Sequence, residues 1–216
     1  MPLNLQYPII YLITSGAIQP SSSPVSQDFQ NTLTLVRAAT SARVSLIQLR
    51  EKSLPARTLY ELAVRSAEIT RGTETRLLIN DRADIARAAR ADGVHLTTRS
   101  IEASIIRHTF GADFLIGVST HSLVEARSAR DGGADFAVFG PVFETQSKRA
   151  YGAPVGTKSL GDVAHSLKPF PIIALGGITL ENAPDVFNAG ASGVAGISLL
   201  SDVHSIESTI EKIRNF

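Results

Sequence analysis

Hydrophobic and polar positions along the chain follow two patterns with different periods. Short apolar runs rich in Ile, Val and Leu, such as Ile172–Leu175, predict buried strands. Between them lie longer stretches whose apolar residues recur three or four positions apart, as in Leu54–Arg71, and this spacing predicts amphipathic helices. Strand and helix therefore alternate through the chain in units of roughly 25 residues.

The alternation predicts eight strands and eight helices. The predicted strands are Ile9–Thr14, Val44–Leu49, Arg76–Asn80, Gly93–Leu96, Phe114–Val118, Asp135–Phe139, Ile172–Leu175 and Gly193–Ile197. The predicted helices are Gln27–Thr40, Leu54–Arg71, Ala83–Ala91, Ile101–Thr109, Leu123–Asp131, Thr157–Leu167, Leu180–Ala189 and Val203–Arg214. We therefore expect one α/β domain over residues 1–216, a single-domain (β/α)₈ TIM barrel. A doubly wound open sheet is the alternative, because it differs in strand order, which the sequence does not display.

Composition narrows the classes of function that remain. The chain has 216 residues, 44% hydrophobic and 19% charged, with a formal net charge of +1, so we expect no nucleic acid and no membrane as partner. It has no cysteine, hence no disulfide and no thiolate metal site, and we expect a cytoplasmic protein. The apolar segment Ile9–Ile13 has no basic leader before it and is interpreted as the first strand, not as a signal peptide. The oligomeric state stays open, a homo-oligomer included.

The stretch Pro171–Leu200 joins the last two strands through a pair of glycines and a helix. Gly176 and Gly177 follow the seventh strand directly, and Ser198 ends the eighth. Glycines leave backbone N–H groups uncovered by side chains, and such groups can bind anions. In a TIM barrel, the loops after strands seven and eight frequently form a phosphate site. We therefore predict that this stretch binds a phosphate group.

Polar residues also lie at the carboxyl ends of the second and third strands. Alternation places Gln48, Arg50 and Lys52 on one side of the chain after the second strand. Two cations beside an amide suit a phosphate or diphosphate, although the start of a solvated loop has the same composition. Asn80 and Asp81 end the third strand, where their oxygens would hold Mg²⁺ together with a diphosphate. Capping of the next helix by Asp81 is the alternative.

The fourth and fifth strands bring histidines and hydroxyls to the same edge. His95 ends the fourth strand, and we interpret it as a hydrogen-bonded interior group. Ser119 and His121 follow the fifth strand, and Ser122 is the expected N-cap of the next helix.

A long polar loop, Gly140–Gly156, follows the sixth strand. Its Thr145, Ser147 and Lys148 offer two hydroxyls and a cation, and its glycines allow movement. We predict a lid that closes over phosphates and excludes water. A surface loop without a role is the alternative, although loops of this length are often functional.

Five segments carry a resemblance to a known family. They are Gln48–Lys52 (QLREK), Asn80–Leu96, Gly117–Ala126, Gly133–Lys148 and Pro171–Leu200 with its GGI and GIS. In this order and spacing they resemble the thiamine phosphate synthase/TenI family over nearly the whole chain. The resemblance implies a single-domain (β/α)₈ barrel and a place in thiamine biosynthesis. Synthases of this family join a hydroxymethylpyrimidine diphosphate to a thiazole phosphate and release pyrophosphate.

The resemblance also implies roles for individual residues. The pyrimidine diphosphate site would comprise Gln48, Arg50, Lys52, Asn80 and Lys148. The thiazole phosphate site would comprise Thr145, Ser147, Gly176, Gly177, Ile197 and Ser198. Asp81 would be a Mg²⁺ ligand, and Ser119 and His121 match residues of the mouth. The expected catalytic residues are Arg50, Lys52, His121 and Lys148.

The chain departs from the synthase pattern after the fourth strand. Synthases carry a G-Q-x-D motif there, whose aspartate is a second Mg²⁺ ligand, whereas here Ser100 stands at that position. TenI proteins also lack the aspartate, and the FET of Phe143–Thr145 resembles TenI, although Pro141 stands where tautomerases of that branch can carry a histidine. Three functions therefore stay open. They are the transferase, a TenI-type thiazole tautomerase with His121 as acid or base, and a barrel that binds thiamine-related phosphates without turnover.

Overall fold

Parallel strands form a closed barrel in the computed structural model, which describes residues 7–145 and 153–216. The strands are β1 (Ile9–Ile13), β2 (Leu46–Leu49), β3 (Arg76–Asn80), β4 (Gly93–Leu96), β5 (Leu115–Thr120), β6 (Phe136–Phe139), β7 (Ile172–Leu175) and β8 (Gly193–Gly196). They pair in chain order, and β8 pairs with β1. This closure confirms the predicted barrel, and the open sheet is wrong because its first and last strands would not pair.

A helix follows each strand. The helices are α1 (Gln27–Ser41), α2 (Ala56–Thr70), α3 (Ala83–Ala89), α4 (Ala103–Phe110), α5 (Leu123–Asp131), α6 (Gly156–Leu167), α7 (Ala183–Asn188) and α8 (Ile206–Arg214). Predicted and observed bounds differ by a few residues at most, for example at α7, which begins three residues after the predicted Leu180. Before α7, the Thr179 N–H donates to Asn182 Oδ1 at 2.8 Å, and Asn182 Nδ2 donates to Gly177 O at 2.9 Å. These side-chain bonds form a turn that competes with the first turn of the predicted helix.

The apolar core has two parts, one on each side of the strands. The barrel interior is filled by Ile9, Tyr11, Ile13, Leu46, Leu78, Leu115, Phe136, Val138, Ile173 and Ala195. The opposite side of the sheet belongs to the layer shared with the helices. Because both faces are buried, the strands are apolar along their length, which explains the uninterrupted hydrophobic runs in the sequence. None of the helices within residues 7–145 and 153–216 has the length and hydropathy needed to cross a bilayer.

The carboxyl ends of the strands meet at one rim of the barrel. The register pairs Gln48 with Leu78, and Asn80 with His95. Leu46 and Leu78 lie in the barrel interior. Since alternate residues of a strand share a face, Gln48 and Asn80 lie on the interior side as well, closer to the rim.

Candidate active site

Gln48 and Asn80 form an amide pair at the inner rim. Gln48 Nε2 donates to Asn80 Oδ1 at 2.9 Å. The Gln48 side chain is buried, and its Oε1 has no hydrogen-bond partner among the residues that the structure describes. A buried acceptor without a partner costs about 1–3 kcal/mol. The pair can therefore accept a hydrogen bond from a ligand in the barrel mouth.

Below this pair, three side chains form a buried hydrogen-bonded chain across the barrel. The Tyr11 hydroxyl lies 3.1 Å from His95 Nδ1, and His95 Nε2 lies 2.9 Å from the Ser119 hydroxyl. Burial lowers the pKa of His95 to about 3, with a smaller contribution from the positive charge of Arg50. His95 is thus a neutral interior group, as predicted, and it fixes the position of the Ser119 hydroxyl at the rim.

Tyr11 is the functional-site residue that the sequence analysis missed. It lies in the middle of an apolar strand and is fully buried, where burial raises the pKa of its phenol well above the ordinary value. Its ring packs edge-on against Phe136, with 5.7 Å between ring centroids. A tyrosine inside a buried strand is itself a signal, because its hydroxyl needs a polar partner in the core.

A cleft of about 290 Å³ opens beside the amide pair, between the loops that follow β2, β3 and β4. Its polar lining comprises Glu51, Lys52, Asn80, Asp81, Arg82, Thr97 and Arg99. Burial lowers the pKa of Lys52, and the positive charges of Arg50 and Arg99 lower it further, whereas Asp81 acts in the opposite direction. Arg50, Asp81 and Arg99 therefore lie within electrostatic range of Lys52, and we call these four residues the charge cluster.

Two other charged residues of the cleft, Arg82 and Glu51, have hydrogen-bond partners within the protein. The Arg82 guanidinium bonds both carboxylate oxygens of Asp84, at 2.9 and 2.7 Å. Glu51 is buried, and its carboxylate accepts hydrogen bonds from the Thr14 hydroxyl at 2.6 Å and from the backbone N–H of Gly16 at 3.2 Å. Within the described part of the chain, Lys52 and Arg99 have no ion-pair partner closer than 4.0 Å.

Asp81 stands in a left-handed backbone conformation at the end of β3, with φ of 57°. Its N–H donates to the carbonyl of His95 at 2.9 Å, and its side chain is exposed. The alternative in which Asp81 caps α3 is wrong, because the N-cap position is Arg82 and no side chain caps that helix. Asp81 thus keeps its carboxylate free of a capping role.

The cleft offers few oxygen ligands for Mg²⁺. No group of three or more histidine or acidic side chains that could hold a metal ion occurs in the described residues. Ser100 at the position of the second carboxylate is engaged in the turn after β4, where its hydroxyl accepts from the N–H of Thr97 at 2.7 Å. Mg²⁺ commonly uses one or two carboxylates together with substrate phosphates. Asp81 alone therefore fits an ion that arrives with a diphosphate.

The two glycines after β7 lie against the start of the β6–α6 loop. Gly176 has φ of 103°, and a Cβ there would lie 2.6 Å from the Cα of Pro141. A Cβ on Gly177, with φ of 65°, would lie 2.5 Å from the carbonyl of Glu144. Glycine is required here by the close approach of the loop, a reason that the sequence pattern alone did not indicate.

Neighbouring strands place the residues of the predicted phosphate site at one part of the rim. Leu175 at the end of β7 pairs with Ala195 in β8, so Gly177 and Ile197 follow at the same level. Ser198 is exposed and begins a short 3₁₀ turn, Ser198–Leu200. This places the two glycines beside Ile197 and Ser198.

The remaining predicted residues lie in the loops after β5 and β6. Thr145 is half-buried, whereas Ser147 and Lys148 lie outside the described residues. Ser122 caps α5 as predicted, since its hydroxyl accepts from the N–H of Glu125 at 3.2 Å.

His121 is exposed, and its Nδ1 bonds the carbonyl of Gly140. Because a carbonyl only accepts, Nδ1 donates in this bond, and Nε2 is the ring nitrogen left for a ligand.

Comparison with known proteins assigns the family. The sequence model of TMP-TENI, thiamine monophosphate synthase, matches residues 11–200. The chain belongs to this family.

Within the thiamine monophosphate synthase family, a protein of Geobacter sulfurreducens is 49% identical over 168 residues, which cover 78% of each chain. A thiamine-phosphate synthase of Moorella thermoacetica is 39% identical over 183 residues, covering 85% of this chain and 87% of the relative. Among solved structures, the thiamine phosphate pyrophosphorylase of Pyrococcus furiosus superposes with a TM-score of 0.79 at 29% identity, covering 97% of this chain and 95% of that one.

Proposed function

We propose that the protein is a thiamine phosphate synthase, a transferase that joins hydroxymethylpyrimidine diphosphate to thiazole phosphate and releases pyrophosphate. The observation that carries the proposal is the charge cluster, in which Arg50 and Lys52 supply positive charge next to the buried amide pair. A site with this excess of fixed positive charge favours a ligand with several negative oxygens. Family membership and the similarity to named synthases support the same reaction.

The diphosphate would bind at the mouth between the ends of β2 and β3. Arg50 and Lys52 supply charged donors to its oxygens, and Lys148, outside the described residues, would add a third from the loop after β6. Asn80 would orient the substrate through its amide group. These contacts gain strength as negative charge builds up on the departing pyrophosphate, which is the condition for lowering the barrier.

Gln48 has a different role from that of the cations. Its Nε2 is bonded to Asn80, and its free group is the buried acceptor Oε1. An acceptor repels phosphate oxygens but pairs with an N–H donor, such as the amino group of the pyrimidine. Gln48 would therefore orient the pyrimidine ring, and Ser119, held by His95, would border the same ring.

The thiazole phosphate would bind on the opposite side of the mouth. Its oxygens would lie at the backbone of Gly176, Gly177 and Ile197, with the Ser198 hydroxyl as a further donor. Thr145 and Ser147 would contact it from the loop after β6. This arrangement directs the thiazole nitrogen towards the pyrimidine ring bound between β2 and β3.

The reaction then needs no protein nucleophile. The bond between the pyrimidine methylene carbon and the diphosphate oxygen breaks, and its electron pair leaves with the pyrophosphate. The lone pair of the thiazole nitrogen forms the new carbon–nitrogen bond. Mg²⁺ held by Asp81, when bound, would neutralise part of the charge on the departing group. Arg50 and Lys52 stabilise that charge from fixed positions, at no cost of reorganisation during the reaction.

A Lys52→Gln variant tests the assignment of the diphosphate site. Loss of one charged donor should lower kcat/KM for thiamine phosphate formation by about 10- to 100-fold, because a charged hydrogen bond contributes about 1.5–3 kcal/mol. The measurement is product formation from both phosphorylated precursors in the presence of Mg²⁺. Lys212→Gln, in α8 away from the rim, is the matched control and should keep wild-type activity. Equal activity of the Lys52 variant would contradict this site.

The same assay distinguishes the other two functions. His121 favours the tautomerase as second candidate, because its Nδ1 is held by the carbonyl of Gly140 and its Nε2 is left for a ligand at the rim. A tautomerase would exchange protons on the thiazole carboxylate phosphate without forming thiamine phosphate. A barrel that only binds would do neither while retaining affinity for the phosphorylated compounds.

A further inference from the structure

Arg99 belongs to the charge cluster but is not among the residues assigned above to the diphosphate. It lines the cleft together with Lys52 and Asp81, and its side chain is exposed. Arg82, the other arginine of the lining, is engaged in a bidentate ion pair with Asp84 through its Nε and Nη2 atoms. Lys52 and Arg99 are therefore the cations of this lining that remain available to an anionic ligand.

The backbone that carries Arg99 is held in a compact turn. The N–H of Ser100 donates to the carbonyl of Thr97 at 3.1 Å, and the Ser100 hydroxyl accepts from the N–H of Thr97 at 2.7 Å. The N–H of Arg99 also donates to the Thr97 hydroxyl, at 3.3 Å. Ser100 thus stabilises the turn with its side chain, at the position where synthases carry an acidic metal ligand. The turn therefore holds the backbone of Arg99 in place and presents its guanidinium beside the position of the second carboxylate.

We propose that Arg99 is a diphosphate ligand of this chain, whose positive charge takes over part of the work that a second carboxylate-bound Mg²⁺ contact would do. The inference rests on the proposed function, because it assigns a further ligand to the same diphosphate. Asp81 supplies one carboxylate, whereas Lys52 and Arg99 supply two cations to the cleft. A diphosphate therefore binds this cleft without Mg²⁺, and the metal adds affinity through Asp81.

The test is calorimetric titration of inorganic pyrophosphate, in EDTA and in Mg²⁺, into wild type and Arg99→Gln. Wild type binds in both conditions. Arg99→Gln binds about 10- to 100-fold more weakly in EDTA, the factor expected for loss of a charged hydrogen bond, and the factor is smaller in Mg²⁺. Arg127→Gln removes the same charge from an exposed position of α5, away from the rim, and binds like wild type.

Each other outcome overturns one proposal. Equal affinity of wild type and Arg99→Gln in EDTA overturns the role of Arg99, and so does binding by wild type in Mg²⁺ alone, while the proposed synthase function stands. Absence of pyrophosphate binding by wild type in both conditions overturns the diphosphate site and the proposed function with it.

Discussion

Polar side chains inside the barrel are held in position by hydrogen bonds to one another. Tyr11 and Ser119 satisfy both nitrogens of His95, so the imidazole stays neutral without leaving a buried group unpaired. Gln48 is the exception, with one buried oxygen that lacks a partner in the described residues. A buried polar group is normally paired, and an unpaired one at a barrel mouth is therefore an indication of ligand binding.

The depressed pKa of His95 predicts a dependence of stability on pH. In the unfolded chain this histidine binds a proton as the pH falls below 6.5, whereas in the folded protein it stays neutral down to a pKa of about 3. Between pH 6.5 and about pH 3 the unfolded state therefore binds more protons than the folded state. As the pH is lowered through this range, the free energy of unfolding decreases by up to about 1.4 kcal/mol per pH unit. Urea unfolding at several pH values measures the slope.

A His95→Gln variant isolates this contribution. The variant should lose stability less steeply than wild type between about pH 6.5 and pH 4, because glutamine does not titrate. His165→Gln removes an exposed histidine of α6 and should keep the wild-type slope. Identical slopes for wild type and the His95 variant would show that His95 is not buried as a neutral group.

At the scale of elements, the rim is shaped by the contact between two loops. The N–H of Phe143 donates to the carbonyl of Gly176 at 3.0 Å, and the N–H of Val155 donates to the carbonyl of Pro141 at 2.8 Å. The first bond ties the β6–α6 loop to the end of β7, and the second brings the two ends of that loop together. The glycines of the proposed phosphate site are thus part of the support for the loop.

Substitution of Gly176 by alanine tests this close approach. Gly72 is a matched control, since it also has a positive φ, 77°, but a Cβ there would meet nothing within 4 Å. Both variants pay the backbone cost of about 1–2 kcal/mol for alanine in this region. Gly176→Ala should lose about 1–3 kcal/mol more, because its Cβ overlaps Pro141. Urea unfolding measures both, and equal losses would contradict the contact.

At the scale of the whole molecule, closure of the barrel removes both sheet edges. β1 pairs with β2 on one side and with β8 on the other, so the first strand is as internal as any other. Residues near the two ends of the chain are thereby joined in one sheet, and the mouth is surrounded by strand ends on all sides.

Closure predicts the pattern of amide hydrogen exchange. The backbone amides of Tyr11 and Leu12 should exchange as slowly as those of Leu78 and Ile79 in β3, because both segments are paired on two sides. The amide of Val25, which is 88% exposed in the loop before α1, should exchange much faster and serve as the internal reference. Exchange of the β1 amides at the rate of this loop would contradict the closed seam.

The sequence predicted the alternation of elements because the buried strands and amphipathic helices have distinct periods. The order of polar residues at the strand ends followed from the same pattern. The sequence did not predict the hydrogen bond between Tyr11 and His95, because a contact between β1 and β4 forms only when the strands close into a barrel. Two other contacts also join segments that are far apart in sequence. Glu51 accepts hydrogen bonds from the loop after β1, and Pro141 packs against Gly176.

The segment after β2 has a consequence for how this protein can diverge. Glu51 turns inward to secure the first loop through Thr14, while Arg50 and Lys52 on either side belong to the charge cluster. Structural support and the proposed anion site are thus encoded at interleaved positions of a single peptide. Substitution of residues 50 and 52 would alter the proposed anion site, whereas retention of Glu51 would preserve the hydrogen bonds that hold the first loop.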